Sequence, residues 1–137
     1  MLLPLKISHR ESIVPELTQI TPFVLCASLK RQIAFYCDTL GFEMQFQADN
    51  YAFLRRGRAG LRLLQCPANK DGRSLGGDHS FYIDVRDIDA LYDELRPMLD
   101  KLPAKRVRGP FDQPYGQREF HVLDEDGALV FFGESNT

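Results

Sequence analysis

The sequence predicts an α+β fold in which two βαβββ modules form a curved, eight-stranded mixed sheet. The first observation is a repeated unit. Thr21–Gly41 reads TPFVLCASLKRQIAFYCDTLG, and Ser80–Asp100, 59 residues later, reads SFYIDVRDIDALYDELRPMLD. The second is that short apolar runs joined by a glycine-containing turn follow each unit. Because one helix on a few strands cannot bury its own sheet, the two copies are expected to pack as one domain.

The first module begins with a strand and a capped helix. Ile20–Ala27 is an apolar run that predicts the strand, and the Ser28 hydroxyl can accept a hydrogen bond from the first helical turn. Gly41 can adopt the left-handed conformation that ends a helix. The buried face of this helix is predicted to carry Ile33, Phe35, Tyr36 and Leu40.

Three strands complete the first module, with turns at Asp49-Asn50 and between Gly57 and Gly60. These strands are predicted at Phe42–Ala48, Tyr51–Arg55 and Leu61–Cys66. The polar, glycine-rich stretch ANKDGRSLGGD predicts a linker at residues 68–78. The single domain of residues 1–137 is therefore divided into a first module at 20–67 and a second at 79–134.

The second module repeats this order. His79–Val85 predicts a strand, Asp87 is placed to cap a helix that runs to about Leu99, and Pro97 limits or bends its last turn. A loop is expected at Gln113–Gly116. The remaining strands are predicted at Lys105–Arg108, Glu119–Leu123 and Ala128–Gly133.

Composition and charge narrow the class of protein. Hydrophobic residues make up 44% of the chain and charged residues 26%, which is typical of a soluble globular protein. The net charge of −2 gives no electrostatic reason to expect binding to nucleic acid. Three cysteines without paired spacing favour free thiols in a reducing compartment, and no apolar stretch has the length of a membrane span. We therefore expect a cytoplasmic protein that binds neither nucleic acid nor membranes.

The segment Met1–Gln19 matches neither copy of the repeat and contains two prolines. An ordered or frayed N-terminal arm is the simplest interpretation. An arm that crosses to a second subunit is the alternative.

Several motifs follow one another along the two copies: Phe35-Tyr36 with Leu40-Gly41-Phe42, Val85–Asp89 (VRDID), Asp124–Gly127 (DEDG) and Phe131–Glu134 (FFGE). In this order they resemble the motifs of the vicinal oxygen chelate superfamily, which includes glyoxalases, extradiol dioxygenases and the fosfomycin- and bleomycin-resistance proteins. Gln113–Gly116 (QPYG) followed by Arg118-Glu119-Phe120 looks most like the bleomycin-resistance branch. The resemblance covers Ile20–Glu134 and implies the glyoxalase/bleomycin resistance fold.

The resemblance also implies where a metal would bind. The superfamily's enzymes hold a divalent ion in the cup of the sheet, and the motif spacing places the ligand positions at Thr21, Ser80 and Phe131. These side chains cannot supply the imidazole and carboxylate donors that such an ion needs. His79 lies one residue before a ligand position, so strand alternation turns it to the other face. We therefore expect no metal and no other cofactor, and we assign no catalytic residue.

Strand alternation and the resemblance together predict a ligand-binding cup. The candidates are Phe53, Arg62, Tyr82, Asp84, Gln113, Tyr115, Glu119, His121 and Phe131. Aromatic walls with a few polar anchors suit an amphipathic small molecule, and the carboxylates would favour a cationic group on it. Structural roles remain open for several of them: an ion pair of Glu119 with Arg118 or Arg62, a hydrogen-bonded core position for His121, and core packing of Phe53.

These observations favour a small-molecule-binding protein of the bleomycin-resistance type, which sequesters an amphipathic or cationic compound without chemistry. The alternative is a metal-dependent glyoxalase- or dioxygenase-type lyase, isomerase or oxygenase that binds its metal through His79, Gln65, Glu119 or His121. His121 with an acidic neighbour could also act as a general base without metal. A third option is a vestigial pocket with a role in association. The resemblance implies a homodimer in which the partner subunit completes the groove.

Overall fold

In the computed structural model, the eight strands form two four-stranded mixed sheets, one for each module. The structure describes residues 13–137, so His9 and most of the predicted arm lie outside the described residues. The first sheet contains β1 (Phe23–Cys26), β2 (Glu43–Ala48), β3 (Tyr51–Arg56) and β4 (Ala59–Gln65). The second sheet contains β5 (Ser80–Asp84), β6 (Val107–Asp112), β7 (Gln117–Leu123) and β8 (Leu129–Ser135). The helices are α1 (Leu29–Ala34) and α2 (Ile88–Leu99).

Both sheets have the same topology. Their strand orders are β1-β4-β3-β2 and β5-β8-β7-β6, and in each the first two strands are parallel while the others are antiparallel. The predicted α+β class and the two βαβββ modules are confirmed. The eight strands are divided into two hydrogen-bonded sheets, because every ladder among residues 13–137 joins strands of one module.

The first helix forms as the sequence predicts. The Ser28 hydroxyl accepts a hydrogen bond from the Arg31 N–H at 3.2 Å. After α1 the chain continues as a π-helical turn, Phe35–Thr39, and Gly41 ends it at a φ of +77°. Three residues of the predicted stripe are buried, Phe35, Tyr36 and Leu40, and the fourth, Ile33, is partly buried against the core.

The second helix is capped by a residue that the sequence did not indicate. Asp87 makes no side-chain cap, and its own backbone is left-handed at a φ of +61°. Instead, the Glu134 carboxylate on β8 accepts hydrogen bonds from the N–H groups of Asp87 and Ile88, both at 3.0 Å. The predicted cap at Asp87 is therefore wrong, because a carboxylate from a distant strand occupies the end of the helix. The helix continues through Pro97 to Leu99.

The two modules share one hydrophobic core, which lies between the sheets and the helices. Polar contacts also join them: the Tyr36 hydroxyl donates to Asp124 at 2.8 Å, and the Arg106 guanidinium lies 5.2 Å from the centre of the Phe35 ring. Within residues 13–137, no helix has the length and apolar character that crossing a membrane requires.

Candidate functional site

The open face of the second sheet collects most of the predicted site residues. Helix α2 packs against this sheet on one side, and alternate residues point to the other side. Register places Tyr82, Phe131, His121 and Arg108 in one row across the four strands, and Asp84, Gly133, Glu119 and Phe111 in the next. We call Tyr82, Arg108, Phe111, Glu119, His121 and Phe131 the aromatic face.

Glu119 is fully buried at the centre of this face, and hydrogen-bonding groups surround its carboxylate. The side chains of Gln113 and His121 lie 3.1 and 2.8 Å from Oε1. The hydroxyls of Tyr115 and Tyr82 lie 2.6 and 3.0 Å from Oε2. Four of the predicted site residues therefore form hydrogen bonds with a fifth, Glu119. Two of these bonds hold the loop that carries Gln113 and Tyr115 against the sheet.

The surroundings of Glu119 keep it ionised. Burial opposes the charge, but the hydrogen bonds from Tyr115, His121, Gln113 and Tyr82 together outweigh it and lower the pKa of Glu119 from 4.5 to about 2. The two phenols change in the opposite sense. Burial and then the Glu119 hydrogen bond raise the pKa of Tyr82, and the Glu119 hydrogen bond raises that of Tyr115.

Four rings and one guanidinium group contact one another in series beside this carboxylate, and we call this series the aromatic row. Tyr82 stacks on Phe131 with centroids 5.9 Å apart and planes 20° from parallel, and Phe131 lies 4.3 Å from the His121 ring. The His121 ring meets Phe111 edge-on at 5.1 Å, and the Arg108 guanidinium lies 3.6 Å from the Phe111 centroid. A flat ring could extend this row, because Tyr82 is 40% exposed.

Asp84 lies on the open side of β5, one register row from Tyr82. Its side chain is exposed, and it makes no ion pair or hydrogen bond with any of residues 13–137. Asp84 is therefore a carboxylate whose charge is available beside the aromatic face, whereas Glu119 is surrounded.

Phe53 and Arg62 occupy a different surface, the open face of the first sheet. The Arg62 guanidinium donates to the Tyr51 hydroxyl at 2.6 Å and lies 5.1 Å from the centre of the Phe53 ring. Among residues 13–137, no hydrogen bond or ring contact joins these two side chains to the aromatic face. The predicted site residues therefore lie on two separate faces, one on each sheet.

The ion pair that the sequence suggested between Glu119 and Arg118 or Arg62 does not form. Arg118 pairs with Asp89 and Asp112 at 3.0 and 3.3 Å, and Arg62 bonds to Tyr51. The partners of Glu119 are uncharged side chains and one imidazole instead.

Comparison with known proteins assigns the chain to a family. The profile of the Glyoxalase/Bleomycin resistance protein/Dioxygenase superfamily matches residues 17–132. The chain belongs to this superfamily. The bleomycin resistance protein of Geobacillus stearothermophilus is 28% identical over 128 residues, which cover 83% of this chain and 94% of that protein.

Solved structures of the superfamily have the same fold. The bleomycin-binding protein from bleomycin-producing Streptomyces verticillus, solved with copper(II)-bleomycin, is 27% identical; the match covers 87% of this chain and 97% of that chain with a TM-score of 0.72. The bleomycin resistance determinant encoded on the transposon Tn5 is 22% identical, with 88% and 100% coverage and a TM-score of 0.73, and supports the fold alone.

The metal site of the superfamily's enzymes does not fit this chain. Thr21 precedes β1, Ser80 opens β5 and Phe131 lies inside the aromatic row, so none of the three offers an imidazole or a carboxylate. His79 lies near Phe81 with ring centroids 5.8 Å apart, on the side of β5 away from Tyr82. Within residues 13–137, no group of three or more His, Cys, Asp or Glu side chains is placed to hold a metal ion.

Sequence reasoning missed two members of the aromatic face, Arg108 and Phe111. It predicted a strand at Lys105–Arg108, followed by Gly109-Pro110, whereas β6 runs from Val107 to Asp112. A register shift between Arg108 and Phe111 lets both residues pair with same-face positions of β7, His121 and Glu119. The Gly-Pro pair was the available signal, because proline within a sheet marks a bulge or an edge strand.

A cavity that borders the aromatic face was not predicted. It has a volume of about 1270 Å³, lies between the β3–β4 turn and the start of α2, and includes Tyr82 and Asp84 in its lining. The rest of its lining includes apolar side chains and two arginines: Leu61, Phe81, Phe132, Arg58 and Arg86.

Proposed function

We propose that this chain is a small-molecule-binding protein of the bleomycin-resistance type that sequesters an amphipathic, cationic compound without changing it. The aromatic face beside Asp84 is the observation that carries this proposal. The ring of Tyr82 is partly exposed, so a planar group can stack at the end of the row.

The charge of the ligand follows from the two carboxylates. Glu119 is buried and already accepts four hydrogen bonds, so a cationic group of a ligand would have to displace one of them. Asp84 is exposed and carries no counter-charge among the described residues. A compound with a flat ring system and a cationic group would therefore place its ring on Tyr82 and Phe131 and its cation at Asp84.

The relatives support the same class of function. Curated relatives at 28% identity are named bleomycin resistance proteins. A structural neighbour at 27% identity is described as a bleomycin-binding protein and was solved with copper(II)-bleomycin. Bleomycin-type glycopeptides are therefore the first ligands to test, and we propose that they are held without a protein-bound metal.

We propose a homodimer in which a second copy covers the open face of the first sheet. This face and its edge expose large apolar side chains: Phe23, Leu25, Met44 and Phe46 are 53%, 39%, 48% and 55% exposed. Several large apolar side chains exposed on one sheet are typical of a subunit interface. The arm adds Val14, Leu17 and Ile20, which are at least 82% exposed and could also contact a partner.

Free thiols at Cys26, Cys37 and Cys66 support the cytoplasm as the location of the protein.

Isothermal titration tests the binding function. Purified protein is titrated with metal-free bleomycin, with copper(II)-bleomycin and with ethidium, a planar aromatic cation. We expect saturable binding of at least one of them, weakened by Tyr82→Ala. Absence of binding for all three compounds, or an affinity that Tyr82→Ala leaves unchanged, would contradict the proposed site.

A further inference from the structure

We propose that His121 is a general base for metal-independent proton transfer from a carbon acid held on the aromatic face, with Glu119 as its positioning residue and Arg108 as the counter-charge. This activity goes beyond the binding function proposed above, and its test does not require that the protein sequester a ligand. Geometry at the three side chains carries the proposal.

Glu119 fixes which nitrogen of His121 carries a proton. The carboxylate Oε1 lies 2.8 Å from His121 Nε2. Glu119 is ionised and has no proton to donate, since its pKa is lowered to about 2. Nε2 must therefore be the donor, and in the neutral ring the lone pair lies on Nδ1. A buried carboxylate that orients an imidazole in this way also stabilises the imidazolium once it forms.

The free nitrogen of His121 is open to a ligand. Nδ1 makes no hydrogen bond with residues 13–137. In the same part of the chain, the fully buried side-chain atoms without a partner include His79 Nε2 and not His121 Nδ1, so Nδ1 is not fully enclosed. The His121 side chain as a whole is only 12% exposed, and Phe111 and Phe131 flank its ring. A small opening between rings suits a planar carbon acid that brings a C–H bond to Nδ1.

Arg108 supplies the charge that such a reaction needs. It is the cross-strand partner of His121, its guanidinium lies 3.6 Å from the Phe111 centroid, and it forms no ion pair with residues 13–137. The other titratable groups that face His121 are Glu119 on its own strand, Tyr82 on β5, and Tyr115 in the loop before β7. Both phenols have a raised pKa, so they remain neutral near pH 7. Arg108 is therefore the cation placed to stabilise an oxyanion beside the base.

The step balances within the bound molecule. Nδ1 takes the proton as the C–H bond breaks, and the electron pair moves through the conjugated system to an oxygen near Arg108. In an isomerisation, the imidazolium returns the proton to another carbon. In an elimination, the bond to the oxygen breaks, the oxygen leaves with the electron pair as an anion, and the imidazolium releases its proton to solvent. No metal, oxidant or second reactant is required.

A chromogenic carbon acid tests this chemistry directly. In 5-nitrobenzisoxazole, removal of the ring C–H proton forms a nitrile as the N–O bond breaks, and the product is the coloured 2-cyano-4-nitrophenolate. We expect saturable turnover by the wild-type protein at pH 7.5. His121→Gln should lower kcat/KM about 100-fold, which is the usual contribution of a positioned base. Glu119→Gln should lower kcat about 10-fold or more with little change in KM.

Two controls separate catalysis from structure. His79→Gln removes the other imidazole of the described residues and should leave the rate unchanged. Free imidazole should restore saturable turnover to His121→Ala, a rescue that a purely structural role would not produce. Thermal midpoints verify that each variant is folded. A wild-type rate no greater than that of His121→Gln, equal losses in His79→Gln, or no rescue of a folded His121→Ala would overturn the proposal.

Discussion

The hydroxyl of Tyr82 reaches the carboxylate of Glu119 by passing over Gly133, the residue that pairs with Glu119 on the neighbouring strand. Gly133 pairs with Asp84 on one side and with Glu119 on the other. A side chain at this position would overlap the Tyr82 ring and hydroxyl, whereas the hydroxyl now lies 3.0 Å from Glu119 Oε2. The bare backbone of one glycine therefore lets an aromatic ring lie flat over β8 and complete the environment of the buried carboxylate.

Gly133→Ala should displace Tyr82 from Glu119. The φ of Gly133 is not in the left-handed region, so alanine is allowed by the backbone, and the cost comes from overlap with the Tyr82 ring. Overlap in a packed site costs about 1–3 kcal/mol, and we expect that loss in urea denaturation together with weaker ligand binding.

A double-mutant cycle provides the control for this change. In a Tyr82→Ala background the overlapping ring is absent, so Gly133→Ala should have little further effect. Equal costs of Gly133→Ala in both backgrounds would contradict the packing argument.

Glu119 should make stability depend on pH in the acidic range. Its pKa is lowered from 4.5 to about 2 in the folded protein, so the unfolded chain binds the proton more readily. The stability that its charge contributes is fully present above about pH 4.5 and is lost as the pH falls toward about 2. Urea denaturation followed by circular dichroism between pH 6 and 2.5 measures the effect.

Glu119→Gln is the comparison for that measurement. It should be less stable than the wild type at pH 6 by about 1–3 kcal/mol, because Gln cannot accept all four hydrogen bonds. The difference should shrink as the pH falls. Glu43→Gln, on the exposed strand β2, should follow the wild-type curve. Parallel curves for the wild type and Glu119→Gln would show that Glu119 is not the titrating group.

The sequence predicted the modules well because their signals are local. Hydrophobic periodicity, the Ser28 cap and Gly41 act within a few residues, and the repeat supplied each pattern twice. These local signals could not show that Glu134 caps α2, because that contact joins two residues 46 positions apart in the chain. In the same way, the bulge that adds Arg108 and Phe111 to the aromatic face depends on pairing with β7.

The sequence predicted which residues lie on the candidate site, but it could not predict how they are arranged, because the arrangement depends on tertiary contacts. Alternation placed Tyr82, Glu119, His121 and Phe131 on one face, which the structure shows. It did not reveal that Glu119 is fully enclosed while Asp84 stays exposed, because burial depends on the loop that folds over β7. Phe53 and Arg62 were grouped with them on the assumption of one continuous cup.

Asp84→Asn should weaken the binding of a cationic ligand without unfolding the protein. The side chain is exposed and unpaired among the described residues, so its contribution is a solvent-screened attraction. We expect about a two- to five-fold loss of affinity for copper(II)-bleomycin at low salt, and a smaller loss at high salt. Asp78→Asn changes the net charge equally from the linker and should bind as the wild type does. Equal losses in both variants would point to net charge rather than to a site.

Glu134→Gln should destabilise α2 although the residue lies outside the helix. The carboxylate accepts two backbone N–H groups at the helix start, and these bonds lower the pKa of Glu134. Its negative charge also interacts favourably with the helix dipole. We expect a thermal midpoint lower by a few degrees. Asp87→Asn is the matched control, because Asp87 makes no side-chain cap and asparagine tolerates its left-handed backbone. A larger effect of Asp87→Asn would reverse this assignment.

Phe46→Asp should disrupt the proposed homodimer. Every residue of β2 is exposed in the single chain, and an edge strand with exposed Met44 and Phe46 is unfavourable in water unless a second chain covers it. Phe46 pairs with Phe53, so it lies on the open face of the first sheet.

We expect the wild-type protein to show twice the 15.7 kDa chain mass by light scattering at micromolar concentration. Phe46→Asp should weaken association about tenfold or more, because it places a charge against apolar surface. Gln47→Glu adds a charge on the other side of the same strand and should remain dimeric. A wild-type mass of a single chain under these conditions would refute the dimer, and the open face of the first sheet would then need another occupant.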